Sequence, residues 1–236
     1  NVMIRGYRNY HITRRLLVVI LLTATLILPV CACGTTQQTA IFTDANLEAA
    51  IREAIGKPEG PISTPDLESL TVLDASGKGI NDISVLAGLT NLQKLYLNDN
   101  NISDLSPLAG LSKLQELYLW DNNISDISPL AGLSNLERLY LSANIISNIP
   151  SLAGLTNLQQ LHLAQNNISD ISSLADLTNL QKLYLNDNNI SDISSLVENS
   201  GLSAGDTVNL GGDPLNTTSI NDYIPQLEAR GVNVVY

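Results

Sequence analysis

"LYLNDNNISDLSPLAGL" spans Leu95 to Leu111, "LYLWDNNISDISPLAGL" spans Leu117 to Leu133, and "LYLNDNNISDISSL" returns at Leu183 to Leu196. Working outward from these stretches, copies start at Leu70, Leu92, Leu114, Leu136, Leu158 and Leu180, each 22 residues after the last. They share the pattern LxxLxLxxNxIxxIxxLxxLxx and are numbered here as coils 1 to 6. An irregular seventh turn begins near residue 205, where "VNLGGDPL" (Val208 to Leu215) follows an insertion around Ser200 to Asp206.

In coil 2 the apolar positions are Leu92, Leu95, Leu97, Ile102, Leu105, Leu108 and Leu111. Leu95 and Leu97 have the period of two of a short strand with one buried face. "SPLAGL" that follows predicts a helical turn, with Ser106 as N-cap, Pro107 in the first helical position and Gly110 as the stop. One such coil buries too little apolar surface to offset the ordering of its own backbone, so the copies must stack and share their faces. A fixed repeat of this length and pattern falls in the leucine-rich-repeat class. The expected fold is an α/β solenoid, a curved array with a concave parallel β-sheet and short helical or 3-10 turns on the convex side.

Asn100, Asn122, Asn144, Asn166 and Asn188 recur at one position of successive coils. An inward amide has two donors and an acceptor, enough to satisfy turn backbone that would otherwise be buried unpaired, so this column is assigned a structural role. Lys78 and Asp213 stand at its two ends. Amides and carboxylates in "NDNN" also suit calcium, but the fold already accounts for them and no EF-hand pattern is present; neither a metal nor a cofactor is expected.

The ends read as caps. Over residues 41–69, "TDANLEAAIREAIG" spaces Leu47, Ile51 and Ile55 as one helical face, with Thr43 or Asp44 as N-cap and Gly56 as stop, and Thr64-Pro65 opens a second short helix. Repeats fill 70–215. Over 216–236, Ile220, Tyr223, Ile224 and Leu227 predict a helix starting near Asp222, which puts Pro225 in its first turn, and "VNVVY" predicts a last strand.

Before the caps, residues 1–33 read as an export signal. Arg5, Arg8, Arg14 and Arg15 precede an apolar run from Leu16 to Val30, about 23 Å long as a helix and short of a bilayer span. "VCACG" resembles a bacterial lipobox, which would make Cys33 the lipid attachment site; an ordinary cleaved signal is the alternative. Residues 34–40 read as a short polar tether. Both cysteines, Cys31 and Cys33, lie in this region, so no disulfide framework is expected beyond it. Processing at Cys33 leaves eight basic against 23 acidic residues, a net charge of −15, and nucleic acid is excluded as a partner. The expected location is the bacterial cell surface, with a membrane contact through the lipid alone, or otherwise secretion.

Caps and coils together, from Ile41 to about Leu215, resemble the 22-residue leucine-rich repeats of the internalin group of bacterial surface proteins. "FTDANLEAAIREAIG" and "LQKLYLNDNNISDLSPLAGLSK" carry the resemblance. It implies a curved solenoid whose concave side binds other proteins. No cell-wall sorting tail or immunoglobulin-like module is recognisable in this sequence.

On that concave side, the position between the two inward leucines of each strand reads Asp74, Tyr96, Tyr118, Tyr140, His162, Tyr184 and Asn209. Half of the chain's eight tyrosines fall in this column. Duplication alone would copy a tyrosine, yet an aromatic stripe is also a recognition surface. Trp120, His162, Glu116 and Arg138 depart from the repeat on the same face, surrounded by Lys94, Lys182, Asn98, Asp99, Asp121, Asn186 and Asp187. Ile145 and Asn148 depart from it at a turn. The candidate binding residues are therefore Tyr96, Tyr118, Trp120, Tyr140, His162, Tyr184, Glu116 and Arg138. A protein or peptide is the expected partner, with glycan or cell-wall binding, or a purely structural spacer, as alternatives. One histidine after the signal, no zinc-ligand spacing and no phosphate-binding loop argue against an enzyme.

Overall fold

The computed structural model describes residues 39–236. The signal, the lipobox and Cys33 lie outside the described residues. Helix α1 (Ala45–Ile55) opens the fold and α2 (Thr64–Glu68) leads into the repeats. Strands β1 (Val72–Asp74), β2 (Lys94–Tyr96), β3 (Glu116–Tyr118), β4 (Arg138–Tyr140), β5 (Gln160–His162) and β6 (Lys182–Tyr184) follow, one per coil. After them come α3 (Ser194–Glu198), β7 (Thr207–Asn209), α4 (Ile224–Ala229) and β8 (Asn233–Val235). All eight strands pair in parallel, in sequence order, in one open sheet. This is the solenoid that the repeat predicts.

Register follows the 22-residue step: Leu95 faces Leu117, Leu117 faces Leu139, and Tyr96 faces Tyr118. Between β6 and β7 the step lengthens to 25, pairing Lys182 with Thr207, so the insertion adds three residues. It is absorbed where the backbone of Gly201 passes close to coil 5: a Cβ there would lie 1.9 Å from the Thr178 carbonyl oxygen, so only glycine fits. The inward aliphatics, from Leu73 through Leu95, Leu117, Leu139, Leu161 and Leu183 to Val208, are fully buried in one continuous core.

The turns opposite the sheet are 3-10 turns in coils 1 to 5 and the short helix α3 in coil 6. Their capping differs from the expected arrangement. The turn of coil 2 spans Ser106–Leu108, so Ser106 is its first residue and Pro107 its second. Leu105 is at the cap position and offers no side-chain acceptor; instead Asp104, one residue earlier, accepts the Ser106 N–H on its carboxylate at 2.8 Å. Asp82, Asp126, Asp170 and Asp192 do the same for Ser84, Ser128, Ser172 and Ser194. Coil 4 explains its own exception: Pro150 replaces the serine and has no N–H to give, so Asn148 can stand where the others need a carboxylate. That departure needs no partner.

At the N-terminal end Asp44 is the N-cap of α1. One oxygen accepts the N–H groups of Asn46 and Leu47, and the other accepts those of Asn81 and Asp82, stitching the cap to coil 1. Thr43 instead donates its hydroxyl proton to Asp82. Gly56 closes the helix in the left-handed region at φ 65°. Thr39 and Ala40, the last residues of the stretch read as a tether, are paired with Ser63 and Ile62.

The C-terminal helix begins earlier than its proline implied. A π-helical segment, Ser219–Tyr223, runs directly into α4, and this wider turn admits Pro225. The inward face is Ser219, Ile224 and Leu227 with Tyr223 partly buried; Ile220 points out, 40% exposed. No described helix is long and apolar enough to cross a membrane.

Candidate interaction face

Two columns of side chains run along the array, one inside it and one on the open side of the sheet. Inside, the asparagines are buried. Asn144 donates to the carbonyls of Leu119 and Leu141 at 3.0 and 3.1 Å and accepts the Ile124 N–H at 3.0 Å. Asn122, Asn166 and Asn188 repeat this set one coil apart. Asn100 serves coil 1, which has Lys78 at this position: it accepts the N–H groups of Lys78 and Ile80 and donates to Ala75. Asp213 ends the column. Its Oδ1 accepts from Asn188 and Ile190, but Oδ2 is buried with no hydrogen-bond partner. Burial, with Asp187 nearby, pushes its carboxyl up to about 6.

A second asparagine column was not read from the sequence. Asn91 donates at 2.8 Å to the carbonyl of Glu68 at the end of α2, and Asn135, Asn157 and Asn179 donate at 2.8 Å to a carbonyl of the preceding coil, at Ser112, Ser134 and Thr156. The signal was present in "TNLQ" and "SNLE", where asparagine precedes the first leucine of a coil. In coil 2 Lys113 takes the place and reaches Asn91 instead.

On the concave side the aromatic column forms one continuous pile. Ring centroids lie 4.6 Å apart for Tyr96 and Tyr118 and 4.4 Å for Tyr118 and Tyr140, both pairs stacked. The pile continues at 4.3 Å from Tyr140 to His162 and from His162 to Tyr184, with the rings tilted. The strand spacing enforces this: side chains at one register position of neighbouring strands stand about 4.8 Å apart. All five rings are half-buried; Tyr118, Tyr140 and His162 have a ring neighbour on both faces, Tyr96 and Tyr184 at the ends of the pile on one face only, and His162 Nε2 is buried without a hydrogen-bond partner. Burial, helped by Lys182, lowers the His162 pKa to about 4, so the ring is neutral at physiological pH.

Beside the pile, Glu116 is only 7% exposed. Its Oε1 accepts from Lys94 at 2.9 Å and from Arg138 at 2.8 Å, and its Oε2 accepts from the Tyr118 hydroxyl. Burial opposes its charge, but these three donors hold its pKa below the usual carboxylate range. Glu116 thus ties three strands together and is not open to a ligand. Tyr140 donates to Gln160 at 2.8 Å, fixing a second ring. Trp120, 37% exposed, follows β3 on the rim of the sheet. Among the described residues no group of histidine, cysteine, aspartate and glutamate is arranged to hold a metal ion.

Comparison with known proteins places this architecture. The family model described as "Leucine Rich repeats (2 copies)" matches residues 68–110, 112–154 and 156–198. A crystal structure of an internalin (inlF) from Listeria monocytogenes aligns with a TM-score of 0.75 at 34% identity, covering 83% of this chain and 56% of that one. The chain thus spans little more than half of that relative. Internalin C2 (inlC2) from the same species aligns with a TM-score of 0.64 at 34% identity, over 85% of this chain and 97% of that one. A leucine-rich-repeat protein of Leptospira interrogans shares the fold at 21% identity, with a TM-score of 0.61 over 74% of this chain and 51% of its own. No match was found among curated proteins. Six coils in register, one parallel sheet and these relatives together make the chain a member of the leucine-rich-repeat family, of the internalin type.

Proposed function

We propose that this protein is an extracellular protein-recognition module, not an enzyme, and that its concave face carries the contact through Tyr96, Tyr118, Tyr140, His162 and Tyr184, with Trp120 and Arg138 beside them. Leucine-rich-repeat proteins are in general protein-interaction modules. The observation that carries the reading is the stacked pile itself. A sugar ring packs on an open aromatic face, and here neighbouring rings occupy both faces of Tyr118, Tyr140 and His162 and one face each of Tyr96 and Tyr184. What remains is a rigid row of ring edges and hydroxyls bordered by charged groups, which suits a polypeptide. In this reading Glu116 organises Lys94, Tyr118 and Arg138 rather than touching the partner. Export through the signal, with Cys33 lipidated, would put the face outside the cell.

The test is a double variant, Tyr118→Thr with Tyr140→Thr, in a crosslinking pull-down from the native cell surface. Capture of a protease-sensitive partner by the parent chain, and its loss in the variant, is the expected result. Salt-insensitive retention of the parent chain on polysaccharide resin, with no protein captured, would replace this reading with glycan binding.

A further inference from the structure

The departures from the repeat are not scattered. At the rim where the strands turn inward, coils 2 and 6 read Asn98-Asp99-Asn100-Asn101 and Asn186-Asp187-Asn188-Asn189. The same four positions read Trp120-Asp121-Asn122-Asn123 in coil 3, Ser142-Ala143-Asn144-Ile145 in coil 4 and Ala164-Gln165-Asn166-Asn167 in coil 5. Three adjacent coils have therefore exchanged amides and carboxylates for Trp120, Ala143, Ile145, Ala164 and Gln165. The backbone ladder joins them: Asp121 donates to Ser142 and Ala143 donates to Ala164.

Stability does not account for these choices. The second rim position is left-handed in every one of these coils, with φ of 54° at Ala143 and 55° at Gln165 against 56° at Asp121. Aspartate tolerates that conformation, whereas alanine and glutamine are strained in it. Ile145 stands 55% exposed and Trp120 37%, so neither exchange gains full burial. Residues that oppose local stability and expose apolar surface together mark a contact. The rim positions of coils 4 and 5 carry no charge and are bracketed by Asp99 and Asp121 on one side and Asp187 on the other, on a chain whose described residues are strongly acidic.

We infer that the rim of coils 3 to 5, centred on Trp120 and Ile145, is the anchoring part of the interaction face, and that it takes a polypeptide segment bearing an aliphatic or aromatic side chain flanked by lysine or arginine. The apolar side chain would rest on the uncharged rim while the flanking cations meet Asp99, Asp121 and Asp187. This inference rests on the protein-recognition reading above and gives it a location and a partner chemistry.

A peptide library displayed on phage, selected against the full chain, tests it. The expected selectants carry an apolar anchor between basic residues, and a synthetic peptide copied from them binds the Trp120→Asn, Ile145→Asn double variant roughly tenfold more weakly. Binding also weakens several-fold from low to high salt. Both substitutions restore residues that sibling coils carry, so the fold is retained. Ala143→Asp, a third restoration, should raise the melting temperature while weakening the peptide. Acidic selectants, no selectants, or equal binding by the double variant would overturn the inference. If binding is instead lost only in the Tyr118→Thr, Tyr140→Thr variant, the rim assignment fails while the protein-recognition reading stands. Concentration-dependent self-association of the parent chain, abolished by the double variant, would make a second copy the occupant and overturn the foreign-peptide assignment.

Discussion

The asparagine column and the aromatic column share one recurrence and nearly one spacing, yet they stand in opposite relations to the fold. Each asparagine closes backbone groups that have no route to water. The rings lie on the open side, half-buried, where, His162 Nε2 apart, an unmet contact is met by solvent. Recurrence every 22 residues therefore does not separate structural from recognition residues; the separation comes from what each side chain's loss would leave unpaired.

The largest expected effect breaks the inner column. Asn144→Leu keeps the branched four-atom side-chain skeleton but strips the Ile124 N–H of its acceptor, and should destabilise the chain by about 3 kcal/mol in denaturant unfolding. An unchanged midpoint would remove the column's structural role.

An intermediate effect, of opposite sign, sharpens the comparison at the column's end. Asp213 has the asparagine position without the asparagine donor, and its folded pKa of about 6 stands above the ordinary value of 3.8. A raised pKa means that the stabilising contribution is intact in acid, below the ordinary value, and is lost as pH rises through about 6. Asp213→Asn should therefore stabilise the chain at pH 7.5 by about 1 kcal/mol, the shift being discounted for partial exposure, and by progressively less toward pH 4. Equal melting temperatures of parent and variant at pH 4 and at pH 7.5 would contradict this.

The smallest effect belongs to the outer column. Tyr140→Thr removes two ring contacts and the hydrogen bond to Gln160, and should lower stability by less than about 1 kcal/mol in the same assay. A loss as large as that of Asn144→Leu would erase the distinction between the columns.

Much of this was legible in the residues. The leucine period fixed the coil boundaries, and the alternation of Leu95 and Leu97 located β2. What escaped was chemistry that periodicity does not encode. Ser106 looked like a cap because serine before proline often is one, but a 3-10 turn begins one residue sooner and leaves the acceptor role to Asp104. Asn91 and its successors went unnoticed because their work is done on the neighbouring element, 23 residues back. The tyrosine column was visible, but its covered ring faces were not, since these depend on strand spacing and rotamer together. Glu116 stood out as a departure; that it is buried between two cations required the register of β2, β3 and β4.

The inner column has a direction, because every amide reaches back to the coil before it and none reaches further. Removing or adding one whole 22-residue unit within coils 2 to 6 therefore leaves each remaining amide with the same kind of neighbour. Lengthening or shortening such a chain is a matter of copying a segment, and the two unlike ends, a helix pinned by Asp44 and a strand behind Asp213, alone determine where growth must stop.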